Sequence, residues 1–256
     1  MPAEGKPGSK RAAAQRRVAE KRAAEAAARA HAERRRRSLI AGAIAAVVVV
    51  LAVVLGIVVQ TQRSTPSAAA RIPAHTTDSG NVVVVGSATA PVTVDLYEDL
   101  QCPNCKAFEA STGPTLAQLV AAGTVQAHYH GMAFLDTAAN GNYSTRALNA
   151  AAVVLATAGP DAFQKFHDLL YAHQPPETGS GLSDTQLIAY AQQAGATGTT
   201  VATDIKNLTY GDWVKKVTDQ ASKDGVTGTP TVRVKGKTLA DLSPAGLTAA
   251  VTAAKA

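Results

Sequence analysis

The sequence predicts an α/β fold in which helices cover one sheet and a block of helices interrupts it. Three observations predict it. β-branched runs stand near both ends of the region beyond residue 80, "NVVVVG" and "VTVDLY" early and "TPTVRVKGKTL" late, and such runs suit buried or half-buried strands. Between them, from Asn142 to Asp224, the apolar residues take helical spacing. Gly and Pro fall at the borders of these pieces, where they punctuate structure instead of breaking it. The arrangement that buries both kinds of apolar face is a sheet with helices packed on it.

Taken in order, residues 1–38 form a basic tail of Ala, Arg, Lys and Glu that has too few apolar side chains to bury a core. Its first 37 residues hold 12 Lys/Arg against 4 Asp/Glu, which leaves 13 against 15 for the rest of the chain. The net charge of +6 therefore belongs to the tail, and the main domain lacks the basic surface that phosphate backbones need; no nucleic-acid partner is expected. Leu39 to Val59 runs 21 residues without a charge, enough helix to span a hydrocarbon core of about 30 Å and longer than the apolar stretch of a cleavable signal. Arg34 to Arg37 abut its N-terminal side, so the positive-inside rule puts the N-terminus in the cytoplasm and everything after the span outside the cell membrane. Residues 60–80 are polar with Pro66 and Pro73 and read as a spacer, followed by a folded domain over 81–256.

Within that domain Val92 to Tyr97 is predicted as a buried strand leading into the cysteines. Phe108, Leu116, Leu119 and Val120 predict a helix, kinked or split at Pro114 and ended by Gly123. "TVQAHYHGM" is a further strand. Helices then fill an insertion over about 142–224, where Ser183 and Gln186 have capping-box spacing and Phe163, Phe166, Leu169 and Trp213 are core candidates. The last strand turns at Gly236, and Ser243 ahead of Pro244 starts a terminal helix.

Cys102 and Cys105 are the only cysteines. As a structural disulfide they would close a loop worth only about 2 kcal/mol, in a domain large enough to do without it. As half of a zinc site they lack a second cysteine pair; His128 and His130 share one strand face, but histidines so placed are ordinarily solvated or hydrogen-bonded, and no metal is expected. Redox chemistry remains, and the spacing suits it. With the strand ending near Leu100 and a helix starting inside "CPNC", Cys102 sits where unpaired N–H groups and the helix dipole stabilise a thiolate. Pro103 suits the first helical position and keeps Cys105 one turn away. Cys102 would then exchange with a substrate and Cys105 would resolve the mixed disulfide. An oxidising compartment outside the membrane permits that cycle.

A strand, CPxC at a helix start, a helical insertion and then "GVTGTPTV" together resemble the thioredoxin superfamily, and within it the membrane-anchored DsbA-like thiol-disulfide oxidoreductases of bacterial envelopes. The resemblance implies a thioredoxin-like fold, a cis peptide before Pro230 with that proline against the sulfurs, and backbone groups of Thr229 offered to an extended substrate. It implies exported proteins with thiols or disulfides as substrates, a membrane redox partner, and no cofactor beyond the Cys102–Cys105 disulfide. Two positions depart from the family. Asn104 stands where strongly oxidising members carry His. Leu96 stands six residues before Cys102, where many members place a buried acid as proton relay; Asp95 would need a shifted register to serve, while Glu98 and Asp99 are closer and double as turn or capping residues. Oxidation of exported thiols is the favoured direction. A reductase or isomerase, and a scaffold with idle cysteines, stay open as alternatives.

Overall fold

The computed structural model describes residues 70–255. The basic tail, the 39–59 span and residues 60–69 of the spacer lie outside them. Among the described residues no helix is long and apolar enough to cross a membrane.

Six strands form one sheet: β1 (Thr76–Thr77), β2 (Val82–Val85), β3 (Val92–Asp99), β4 (Val125–Met132), β5 (Thr231–Val234) and β6 (Lys237–Thr238), in spatial order β1-β2-β4-β3-β5-β6. β3 and β4 run parallel at the centre and every other pair is antiparallel. Parallel neighbours need a crossover, and the chain supplies it with α1 (Pro103–Ser111) and α2 (Gly113–Ala121). Pro114 occupies the first turn of α2, where its missing N–H costs nothing, so the expected kink is a clean break into two helices.

After β4 come α3 (Tyr143–Ala158), α4 (Pro160–Ala172), α5 (Asp184–Ala194), α6 (Val201–Lys206) and α7 (Gly211–Lys223), and α8 (Pro244–Lys255) closes the chain. These five inserted helices match the expected 142–224 block. Ser183 and Gln186 form the capping box at α5, and the Ser243 hydroxyl accepts from Gly246 N at 3.1 Å to start α8. On α4 the buried face is Phe163, Phe166, His167, Leu170 and Tyr171; Leu169, expected inside, is only partly buried, because residues 167 and 171 complete the stripe in its place.

The period-2 alternation of β3 and β4 builds two different faces. Val94, Leu96, Ala127 and Tyr129 join the main core, where Tyr129 meets Phe163 and His167 edge-on at 5.6 and 5.0 Å. Tyr97 and Met132 face the other way into a smaller cluster with Ala221 and Val226. A fully buried leucine such as Leu96 contributes about 1.5–3 kcal/mol. Gly131 of β4 lets α3 approach closely, since a Cβ there would sit 2.4 Å from Leu148 Cδ1.

The fold begins before Asn81, earlier than the sequence boundary. β1 pairs with β2, and the Trp213 indole donates to Gly80 O at 2.6 Å. A buried indole N–H needs an acceptor, and the chain just ahead of β2 provides it.

Candidate active site

The two cysteines occupy the position where β3 hands over to α1. Asp99 makes that turn: its Oδ1 accepts from Gln101 N at 2.9 Å and its carbonyl from Cys102 N at 2.9 Å. Cys102 is the N-cap of α1 with extended backbone, and Pro103 is in the first turn. Cys105 is fully buried, whereas Cys102 keeps 5% exposure beside the exposed Pro103 and Asn104. Across from them the Thr229–Pro230 bond is cis, and Cys102 Sγ lies 3.3 Å from Thr229 O, to which it donates when protonated.

The two sulfurs have opposite electrostatics. The Cys102 thiol is lowered to about 5. A hydrogen bond from Cys105 is the main cause; burial opposes it, and the Thr229 hydroxyl with the backbone N–H groups of Cys105 and Asn104 adds to it. Burial pushes the Cys105 thiol far up, helped by its hydrogen bond to Cys102 and by the negative charge of Glu98. One sulfur is thus a thiolate at neutral pH and its neighbour a proton-holding thiol.

The three acidic candidates separate. Asp95 lies on the sheet face opposite Leu96 and Glu98, with its Oδ1 3.1 Å from His130 Nε2 and 3.4 Å from His128 Nδ1. The β3–β4 register pairs Asp95 with His128, so no shifted register brings it to the sulfurs. Asp99 is a turn residue: besides Gln101 N it accepts from Ser144 Oγ at 2.6 Å and Leu135 N at 3.0 Å. Burial nonetheless raises it to about 6 against those hydrogen bonds. Glu98 is the carboxylate that acts on Cys105. It is 5% exposed, with Oε2 3.0 Å from His167 Nε2.

Several residues around the site had no sequence signal strong enough to name them. The Gln174 side-chain amide donates to the carbonyls of Leu100 and Cys102, each at 3.0 Å. Tyr171 OH donates to Asp99 O at 3.3 Å, and buried Gln101 donates to Glu177 O at 3.1 Å. The inserted helices therefore hold the motif loop. Glu109 follows Cys105 by four residues and so lies on the same side of α1, a placement readable from helical spacing. Burial and the Glu98 carboxylate push Glu109 up to about 9. Lys106 reaches Gln174 O at 3.5 Å.

The sequence profile of the thioredoxin family matches residues 78–253. Over 124 residues the chain is 34% identical to serine/threonine-protein kinase PknE of Mycobacterium tuberculosis, which covers 47% of this chain and 22% of the kinase. The chain thus spans about a fifth of the length of that curated relative. The solved reduced form of the disulfide bond oxidoreductase DsbG of M. tuberculosis superposes with a TM-score of 0.61 at 36% identity, covering 68% of this chain and 87% of that one. Reduced DsbA of the same organism gives a TM-score of 0.59 at 33% identity, over 69% of this chain and 98% of that one.

Proposed function

The chain belongs to the thioredoxin family, and from that premise we propose that it is a DsbA-type thiol-disulfide oxidoreductase that oxidises the thiols of exported proteins. The observation that carries the reading is the asymmetry of the pair: Cys102 at the helix start is held near 5 while the thiol of buried Cys105 is pushed far up.

Electrons and bonds balance over two exchanges. In the disulfide form a substrate thiolate attacks Cys102 Sγ, forming a mixed disulfide and expelling Cys105 as the leaving sulfur, which takes up a proton. A second substrate thiolate then attacks the substrate sulfur of that mixed disulfide and releases Cys102 as a thiolate. The substrate has lost two electrons and the Cys102–Cys105 pair has gained them. A low thiol pKa makes Cys102 the better leaving group in this second step and stabilises the reduced pair, which drives the cycle toward substrate oxidation. Thr229 and Pro230 face Cys102 across the site, where backbone groups of Thr229 would hold an extended substrate segment.

A separate membrane protein would restore the disulfide by accepting the two electrons. The apolar 39–59 span would anchor the domain outside the cell membrane, with the basic tail in the cytoplasm. The names of the superposed DsbG and DsbA structures support disulfide chemistry for this chain.

Equilibration of the purified protein with glutathione buffers tests the direction. A potential clearly above that of thioredoxin, about −270 mV, is expected, below the about −120 mV of DsbA because Asn104 replaces the His of strong oxidants; a value near that of thioredoxin would reverse the proposed electron flow and favour a reductase. The Cys102→Ser substitution should abolish turnover of a reduced substrate protein, whereas a scaffold with idle cysteines would keep its cellular role.

A further inference from the structure

Beneath the active-site helix lies a group of side chains that the disulfide cycle does not use in full. Glu98 comes from the end of β3, Glu109 from α1 and His167 from α4, and one ligand atom from each lies within 4.8 Å of the others. Two carboxylate oxygens in the cluster, Glu98 Oε1 and Glu109 Oε1, are buried without any hydrogen-bond partner. Glu98 is 5% exposed and His167 4%; Glu109 is half-buried at the cavity edge, but its Oε1 is turned inward away from water. Two carboxyls this close in a buried site cannot both stay ionised unaided: either one holds a proton and donates it to the other, or a cation takes the place of that proton, and the imidazole beside them points to the cation.

We propose that Glu98, Glu109 and His167 are the protein ligands of a zinc ion, whose fourth position is open to water from the neighbouring groove. Donor chemistry selects the metal. Calcium takes six to eight oxygens, more than this cluster offers, whereas zinc is satisfied by one imidazole and two carboxylates plus a water at about 2.0–2.2 Å. The imidazole is already oriented for it. His167 Nδ1 faces Asp168 Oδ1 at 3.5 Å, the carboxylate–histidine arrangement that leaves Nε2 for a metal. That Nε2 now lies 3.0 Å from Glu98 Oε2, close to the separation of two donors on one tetrahedral ion. Entry is available through a cavity of about 570 Å³ lined by Glu109, Gln164, Asp168, Tyr129 and Tyr171. Because the ligands come from β3, α1 and the inserted α4, the ion would tie the insertion to the helix that carries both cysteines.

The test is zinc titration of the full chain in detergent micelles by competition with a chromogenic chelator. Cys102 and Cys105 are both replaced by Ser so that thiolates cannot bind the metal. One equivalent is expected, and Glu109→Gln and His167→Gln should each weaken it at least about tenfold. His128 and His130 with Asp95 are the rival donor set, so His128→Ala is measured in parallel and should leave the affinity unchanged. Loss of binding in His128→Ala, with binding kept in Glu109→Gln, would overturn the proposal. X-ray absorption of the zinc-loaded chain avoids any folding defect of a variant: one imidazole among oxygen donors is expected, and two imidazoles, or no bound zinc, would also overturn it.

Discussion

The side-chain amide of Gln174 donates to the backbone carbonyl of Cys102 at 3.0 Å, and its contact with Leu100 O at the same distance brackets the turn between strand and helix. A residue from the helical insertion thus fixes the backbone that aims the reactive sulfur. Gln174→Ala removes both donors and leaves Leu100 O, in a buried residue, to find another partner. The expected loss is about 1–3 kcal/mol of unfolding free energy, read as a lower urea midpoint at unchanged slope. An unaltered midpoint would mean that the loop holds itself.

Cys102 alkylation by iodoacetamide should titrate with a midpoint about 5. An ordinary thiol would show about 8.5. Cys105 should stay unreactive through the same range, because burial and neighbouring negative charge keep its thiol protonated. A depressed native pKa stabilises the reduced fold most above the unfolded thiol value, and that contribution fades as pH falls toward 5. The reduced protein should therefore gain stability relative to the disulfide form between pH 5 and 8, as paired thermal melts would show.

Thr229 favours that thiolate through its hydroxyl, whereas its carbonyl can accept only from the protonated thiol. Thr229→Val keeps the shape and the backbone but removes the hydroxyl donor. The alkylation midpoint should rise, by up to about one pH unit, while the melting temperature barely moves. A rise in melting temperature loss with no change in midpoint would assign the hydroxyl to packing alone.

How much of this was readable in advance depends on whether the signal was local. Strands at Val82, Val92 and Thr231, the break at Pro114 and the cap at Ser183 are each written in neighbouring residues, and they appear where expected. The placement of Cys102 at a helix start also follows from a local motif. Which of the three acids Asp95, Glu98 and Asp99 meets Cys105 was not local. Alternation excludes Asp95 from the face that carries Glu98, yet only the crossing of α4 over the sheet reveals that Glu98 meets His167, 69 positions away. Gln174 was equally hidden, since a glutamine ahead of two prolines reads as loop until its two carbonyl partners are seen.

Gly131 is the contact point between α3 and the centre of the sheet. Gly131→Ala would place a methyl 2.4 Å from Leu148 Cδ1, and overpacking of this kind costs about 1–3 kcal/mol. Truncation at Leu148→Ala would cost about 2–5 kcal/mol by opening a cavity. The two changes relieve each other, so the double variant should be more stable than the sum of the single losses predicts. Additive losses in chemical denaturation would show that the helix shifts as a body instead of clashing at this residue.

Asp95, removed from the redox site by strand alternation, has a different consequence. Burial opposes its ionisation, but hydrogen bonds and charge from His128 and His130 outweigh that and hold its carboxyl well below the usual range. A depressed carboxyl stabilises the fold above its unfolded value of about 3.9 and loses that contribution as pH falls further. With the side chain 19% exposed, solvent screening limits the effect to about 0.5–1 kcal/mol. Asp95→Asn should therefore be less stable than the parent at pH 6, and the difference should shrink steadily below pH 4. A gap between the two urea curves that stays constant from pH 6 to pH 3 would show that the carboxyl is held by shape and not by charge.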